Sequence, residues 1–227
     1  MTDATTTIVF AIFPGVTQLD FTGPHQVFSR LPGARVRVAS AAGGTVEADG
    51  LAFSGLDRLA AIEACDVLCV PGGAGTSAAM LDADYIAEIR RLAAGARYVT
   101  SVCTGSLILG AAGLLRGKRA ACHWSSLDLL ACFGAIPEPG RVVRDGNVLT
   151  GGGVTAGIDF ALTLAAEIAG RDVAQAIQLT LEYAPAPPFQ SGAPETAPPE
   201  ILERVLRLMD RNQAERRGAV DAAAARL

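Results

Sequence analysis

Histidine is nearly absent from this 227-residue chain: there are two, His25 and His123, far apart in the sequence. That is too few and too scattered for a persuasive metal site. Neither stands in a motif that would make it the base of a cysteine–histidine hydrolase. No C-x-x-C pair occurs, and the five cysteines are an odd number, so a disulfide framework is not expected. There is no basic n-region followed by an apolar h-region at the start. No continuous apolar run is long enough to cross a bilayer. Excess positive charge is lacking too. A net charge of −4 and a pI near 5.2 argue against a nucleic-acid surface. The glycine-rich segments carry no Gly-Lys-Ser/Thr and no wider dinucleotide pattern, so phosphate binding is weakly supported.

What is present suits a compact α/β domain. Half of the residues are hydrophobic and 19% are charged, with 25 glycines and 12 prolines. Strand-like runs at 7–13, 35–40, 67–70, 98–102 and 119–122 alternate with helical spacings near 23–31, 82–96, 104–117, 125–133, 155–169 and 172–183. A short strand is expected at 51–53, and Asp145-Gly146-Asn147 reads as a hairpin turn. Such alternation predicts an open, mostly parallel sheet with helices on both faces. Residues 184–199 are too rich in Pro, Gly and Ser for a regular element. A last helix over 199–217 places Ile201, Val205, Leu208 and Met209 on one apolar stripe.

The chemistry points to Cys103. Tyr98–Val102 reads as a buried strand, and from Thr104 the spacing turns helical, so Cys103 stands at a helix N-terminus. Free N–H groups and the helix dipole there favour a thiolate, which lowers the thiol pKa. In an open α/β sheet, ligands gather at the carboxyl ends of the strands. Two other strand ends carry unusual residues: Asp20, held between Leu19 and Phe21, and Gly72-Gly73 after Val67–Val70. A desolvated carboxylate rises in pKa and suits a proton donor. Paired glycines let backbone N–H groups approach developing negative charge. The bland alternatives are a small buried cysteine, a turn or capping aspartate, and an ordinary glycine turn.

The segments 18–24, Pro71-Gly72-Gly73, 99–106 and 149–153 resemble the ThiJ/PfpI superfamily. Together with 158–165 and the Tyr-Ala-Pro-Ala-Pro-Pro-Phe stretch at 183–189, they are most similar to its bacterial isocyanide hydratases. The resemblance implies a flavodoxin-like three-layer sandwich over residues 1–227, a single domain with 199–227 as a C-terminal helical extension. It implies a nucleophile elbow at Cys103, with Asp20 as its acidic partner and Thr104 and Gly73 offering N–H groups beside the thiolate. It also implies a small apolar isocyanide as substrate, no metal or organic cofactor, and a homodimer with active sites near the interface; the lack of a signal segment and of a membrane-length run leads us to expect a cytoplasmic protein. The chain departs from the peptidase branch, which places histidine where Thr104 stands, and from deglycase-like relatives, which use glutamate at the position of Asp20. Cys122 stands where relatives carry threonine, and Val154 where isoleucine is usual. A glyoxalase-like enzyme on the same thiolate, or a thiol- or ligand-sensing domain, are the competing expectations. The sensor reading is disfavoured because only one helix follows the Pro-rich stretch.

Overall fold

A computed structural model describes residues 5–227. In chain order the elements are β1 (Thr6–Ala11), α1 (Gln18–Phe28), β2 (Ala34–Ser40), β3 (Gly44–Ala48), β4 (Leu51–Arg58), β5 (Val67–Val70), α2 (Thr76–Leu81), α3 (Ala83–Gly95), β6 (Tyr98–Val102), α4 (Gly105–Ala111), β7 (Arg119–Ala120), β8 (Ile136–Pro137), β9 (Val142–Asp145), β10 (Val148–Gly151), α5 (Ala156–Ala169), α6 (Arg171–Thr180) and α7 (Pro199–Ala224). Short 3-10 helices cover Leu59–Ala61, Trp124–Ser126 and Asp128–Phe133.

Eight strands form one sheet in the order β3-β4-β2-β1-β5-β6-β10-β9. The six inner strands are parallel; the edges β3 and β9 are antiparallel. Strands β5, β6 and β10 are buried along their whole length, as parallel strands covered on both faces must be. One helical layer groups α1, α5 and α6, the other α2, α3, α4 and α7. This is a flavodoxin-like α/β sandwich. Strand order reverses beside β1, between β2 and β5, so the carboxyl ends of β1, β5 and β6 open on a topological switch point.

Several expected elements differ, each for a local reason. Helix α1 starts at Gln18, not Gly23: Pro24 lies inside it, and Asp49 Oδ2 accepts from the Gln18 N–H at 3.0 Å, satisfying an opening donor. Strand β4 runs to Arg58, and β3 pairs with it through Asp49-Gly50, where both residues have positive φ, 50° and 78°. This is the pattern of a tight primed hairpin turn. Helix α2 stands where no element was expected. Helix α4 stops at Ala111 because Gly113 enters the left-handed region and Leu114 donates back to the Leu109 carbonyl, closing a Schellman-type end. The expected helix over 125–133 is two 3-10 turns.

Helix α7 extends to Ala224 and buries Arg216, Ala219, Val220 and Ala223. The stripe read from the sequence lies in its other half, where Ile201 and Leu208 are exposed. Among the described residues, no helix is long and apolar enough to cross a membrane.

Candidate active site

Cys103 sits between β6 and α4 with φ at +57°, one of three non-glycine residues among those described to have a positive φ. A side chain in that region costs roughly 1–3 kcal/mol and persists only where the surroundings over-determine it. Here they do. The Cys103 N–H donates to the Gly151 carbonyl at 3.0 Å, and Ser101 Oγ, two residues earlier, meets Ser106 Oγ at 2.8 Å. The turn aims the thiol past the strand end, and it is 5% exposed.

Asp20, in the first turn of α1, is fully buried. Its Oδ2 accepts from the Gly72 N–H at 2.9 Å, tying the first turn of α1 to the segment that follows β5. Its Oδ1 is buried with no hydrogen-bond partner, and the carboxyl lies beside the Cys103 thiol. Burial pushes this carboxyl up to about 7, against the lowering pull of the Gly72 N–H and of Cys103. Asp20 is therefore a carboxyl that exchanges a proton near neutrality, beside sulfur.

The thiol departs from expectation. Burial, and then the Asp20 carboxylate, push Cys103 well above the ordinary thiol value, and the Thr104 N–H and Arg216 lower it only in part. Helix α4 has seven residues, so its dipole cannot offset near-complete desolvation. The two groups titrate as a pair. With Asp20 protonated, the charge opposing the thiolate is removed.

The glycines play a different part from the one expected. The Gly72 N–H is spent on Asp20, and the Gly73 N–H donates to Thr104 Oγ1 at 3.0 Å. Gly73 therefore offers no free N–H to the thiolate. What the pair provides is room. A Cβ on Gly72 would stand 2.5 Å from both the nitrogen and Oγ1 of Thr104. Gly73 has φ +147°, and a Cβ there would meet Gly15 O and Thr17 N at 2.4 Å. Thr104 does place its N–H on Cys103, while its hydroxyl also meets Thr76 Oγ1 at 2.8 Å.

Thr76 was missed in the sequence, because a threonine three residues past a glycine pair carries no signal by itself. Arg216 was missed too: it is 7% exposed, with Nη1 donating to Ser126 Oγ at 3.1 Å. Both imidazoles are engaged elsewhere. His25 packs on Phe10, and His123 Nδ1 meets Ser125 Oγ at 2.8 Å. Burial lowers the pKa of both. Among the described residues, no three His, Cys, Asp or Glu side chains are grouped to hold a metal ion.

Known proteins resemble this chain over most of its length. Residues 6–167 match the DJ-1/PfpI family. Over 197 residues the chain is 55% identical to the isonitrile hydratase of Pseudomonas putida, covering 86% of each protein. It is 31% identical to the HTH-type transcriptional regulator CdhR of Pseudomonas aeruginosa, over 73% of this chain and 51% of the regulator. A crystal structure of a ThiJ/PfpI family protein from Pseudomonas syringae superposes with a TM-score of 0.92 at 43% identity, covering 97% of this chain and 90% of that one.

Proposed function

The chain belongs to the DJ-1/PfpI family, and from that footing we propose that it adds water to an isocyanide, isonitrile being the same functional group, to give an N-substituted formamide. The observation that carries the reading is the pairing of a strained, buried thiol with a buried carboxyl, one oxygen of which has no hydrogen-bond partner.

The Asp20 carboxylate takes the Cys103 thiol proton, and the thiolate so formed attacks the terminal isocyanide carbon and forms a C–S bond, leaving the electron pair on that carbon. Asp20, protonated, gives its proton there and becomes the carboxylate; the product is a thioimidate. The Asp20 carboxylate then assists water as it adds to the thioimidate carbon. One water proton ends on the substrate nitrogen. The other returns to Asp20 as the C–S bond breaks and the formamide carbonyl forms. Thiolate and acid are both regenerated, so the sequence is closed without a cofactor. A carboxyl that exchanges its proton near 7 serves as donor and acceptor in turn. The narrow exposure of the thiol suits the linear, slender terminus of an isocyanide.

The same reading makes the molecule a cytoplasmic homodimer, with α7 as an extension of one domain. Leu179, Leu206 and Leu208, all exposed, supply apolar surface for association. The test is formamide formation from p-nitrophenyl or cyclohexyl isocyanide by the wild type, Cys103→Ala and Asp20→Asn. Turnover by the wild type and none by Cys103→Ala is expected. An inactive wild type, or one that consumes a glyoxal instead, overturns the assignment; turnover by Cys103→Ala overturns the mechanism.

A further inference from the structure

The sheet comes apart on one side of β2. Strand β1 pairs with β2 from Ala34 through Ala39, whereas β4 pairs with its other edge only at Ala39↔Asp57 and Ser40↔Arg58. Upstream of those two pairs β4 leaves β2 and forms the hairpin with β3. A cleft of about 640 Å³ occupies the gap. Four consecutive residues, Arg35 to Val38, line it, and consecutive residues of a strand share an edge, not a face. Alternate N–H and C=O groups of that edge therefore face the cleft without a partner strand. None of Cys103, Thr104 and Gly72 lines it, so it is a different place from the elbow.

The remaining walls are aromatic and cationic. Phe21 and His25, four apart on α1, close one side. Phe53, from β4, meets Phe21 edge-on with ring centroids 4.8 Å apart. His25 packs on Phe10 and, unlike His123, has no hydrogen-bond partner among the described residues. Burial lowers its pKa, so the ring is neutral and keeps one N–H to give. The two arginines of β2 differ. Arg37 Nε donates to Asp57 Oδ2 at 2.7 Å, which meets its charge. Arg35, two residues earlier and exposed, makes no ion pair among the described residues.

We propose that this cleft is a second binding site, for a small aromatic carboxylate: the carboxylate pairs with the Arg35 guanidinium, and the ring lies against Phe21 and Phe53. A carboxylate presents two coplanar oxygens to the planar guanidinium fork, so the pair can be bidentate. The His25 N–H and the open edge of β2 add donors for an anion. A phosphate dianion fits less well, because the second arginine is taken by Asp57 and the chain carries a net charge of −4. A cation is repelled by Arg35, and an uncharged guest leaves that charge unused. The volume is that of an ordinary small-ligand site, about 300–1,000 Å³. The proposal does not rest on the hydratase reading, since none of these side chains is a reacting group.

The experiment is titration calorimetry of the full chain with biphenyl-4-carboxylate. Biphenyl-4-carboxamide serves as its uncharged match and inorganic phosphate as the bare anion. Saturable binding of the carboxylate is expected, at least about tenfold tighter than that of the amide, the scale of one charge-assisted pair. Arg35→Gln should bind the carboxylate about tenfold more weakly while keeping Tm and formamide production, because Arg35 is exposed. Phe53→Ala should weaken binding by a similar factor, through the lost ring contact. Cys103→Ala should bind as the wild type does.

No saturation by the carboxylate at millimolar concentration overturns the proposal, as does equal affinity for the amide or for phosphate. Undiminished binding in Arg35→Gln overturns it too. Loss of binding in Cys103→Ala would put the guest at the thiol and has the same consequence. Should Phe53→Ala fail to fold, Phe53→Leu removes the ring and keeps an apolar side chain; full affinity there removes the aromatic half of the site and overturns the proposal. Because calorimetry consumes no isocyanide, a chain without hydratase activity still yields this answer.

Discussion

Cys69 and Cys103 lie at the carboxyl ends of adjacent parallel strands, β5 and β6, and both are buried. They differ in backbone and in partner. Cys69 lies within a strand, and its sulfur accepts from Thr100 Oγ1 at 3.1 Å. Cys103 is held at φ +57° beyond the strand end and faces a carboxyl. Burial pushes the Cys69 thiol up to about 12, and Cys103 is raised as well. Thiol burial therefore does not separate the two. A threonine hydroxyl donates a hydrogen bond and keeps its proton, whereas a carboxyl raised to about 7 gives the proton away and takes it back. Under the proposed mechanism, what separates the packed Cys69 from the nucleophile Cys103 is the neighbour that can exchange a proton.

The largest break in this comparison is expected from the sulfurs themselves. Cys103→Ala should lower formamide production by at least roughly a thousandfold, the usual cost of deleting a covalent nucleophile. Cys69→Ala should leave turnover within about twofold and lower stability by about 1–2 kcal/mol, for the small cavity and the lost Thr100 contact. Steady-state rates and urea unfolding of both variants check it; matched losses of activity would erase the distinction.

Next in size is the scaffold that brings the carboxyl to the thiol. Gly72→Ala would drive a methyl to 2.5 Å from the Thr104 nitrogen, and backbone cannot yield there without moving both Asp20 and the elbow. A loss of about 2–4 kcal/mol in stability is expected, with a fall in kcat that Cys69→Ala does not show. Thermal unfolding beside single-turnover rates measures both.

How much of this was legible beforehand follows from where the information lies. The alternation of strand-like runs and helical spacings marks out the sheet, because parallel strands buried on both faces are uncharged and rich in β-branched residues, as Val67–Val70 and Tyr98–Val102 are. Cys103, Asp20 and Gly72-Gly73 could be singled out because each follows a strand, where an open sheet places ligands. What stayed hidden depends on contacts between distant segments. That the Gly73 N–H is consumed by Thr104, that Asp49 holds the start of α1, and that Arg216 reaches Ser126 are facts of tertiary packing without a local signature. Helix α7 is the clearest case. Its apolar stripe reads well as a pattern, yet the half that docks is the alanine-rich end, where close approach rather than hydrophobicity decides the contact.

The smallest effect is the sharpest test of the carboxyl, since it concerns stability rather than turnover. The Asp20 carboxyl is raised from 3.8 to about 7 in the folded protein. The folded state therefore holds a proton that the unfolded chain has released over the intervening pH range. With the folded state binding more protons, stability falls as pH rises. The contribution is fully present below about pH 4 and is gone once pH has passed about 7. Asparagine has no proton to lose, and its carbonyl can still accept from the Gly72 N–H. Asp20→Asn should therefore match the wild type in stability near pH 4 and exceed it by about 2–4 kcal/mol at pH 8, while hydration falls by roughly a hundredfold or more. Cys69→Ala, measured over the same range, should run parallel to the wild type, because Thr100 does not titrate. Denaturation across pH 4 to 8 reads the three curves. A constant gap between Asp20→Asn and the wild type would mean that Asp20 is already ionised when folded, leaving Cys103 with no more of a proton-exchanging partner than Cys69 has.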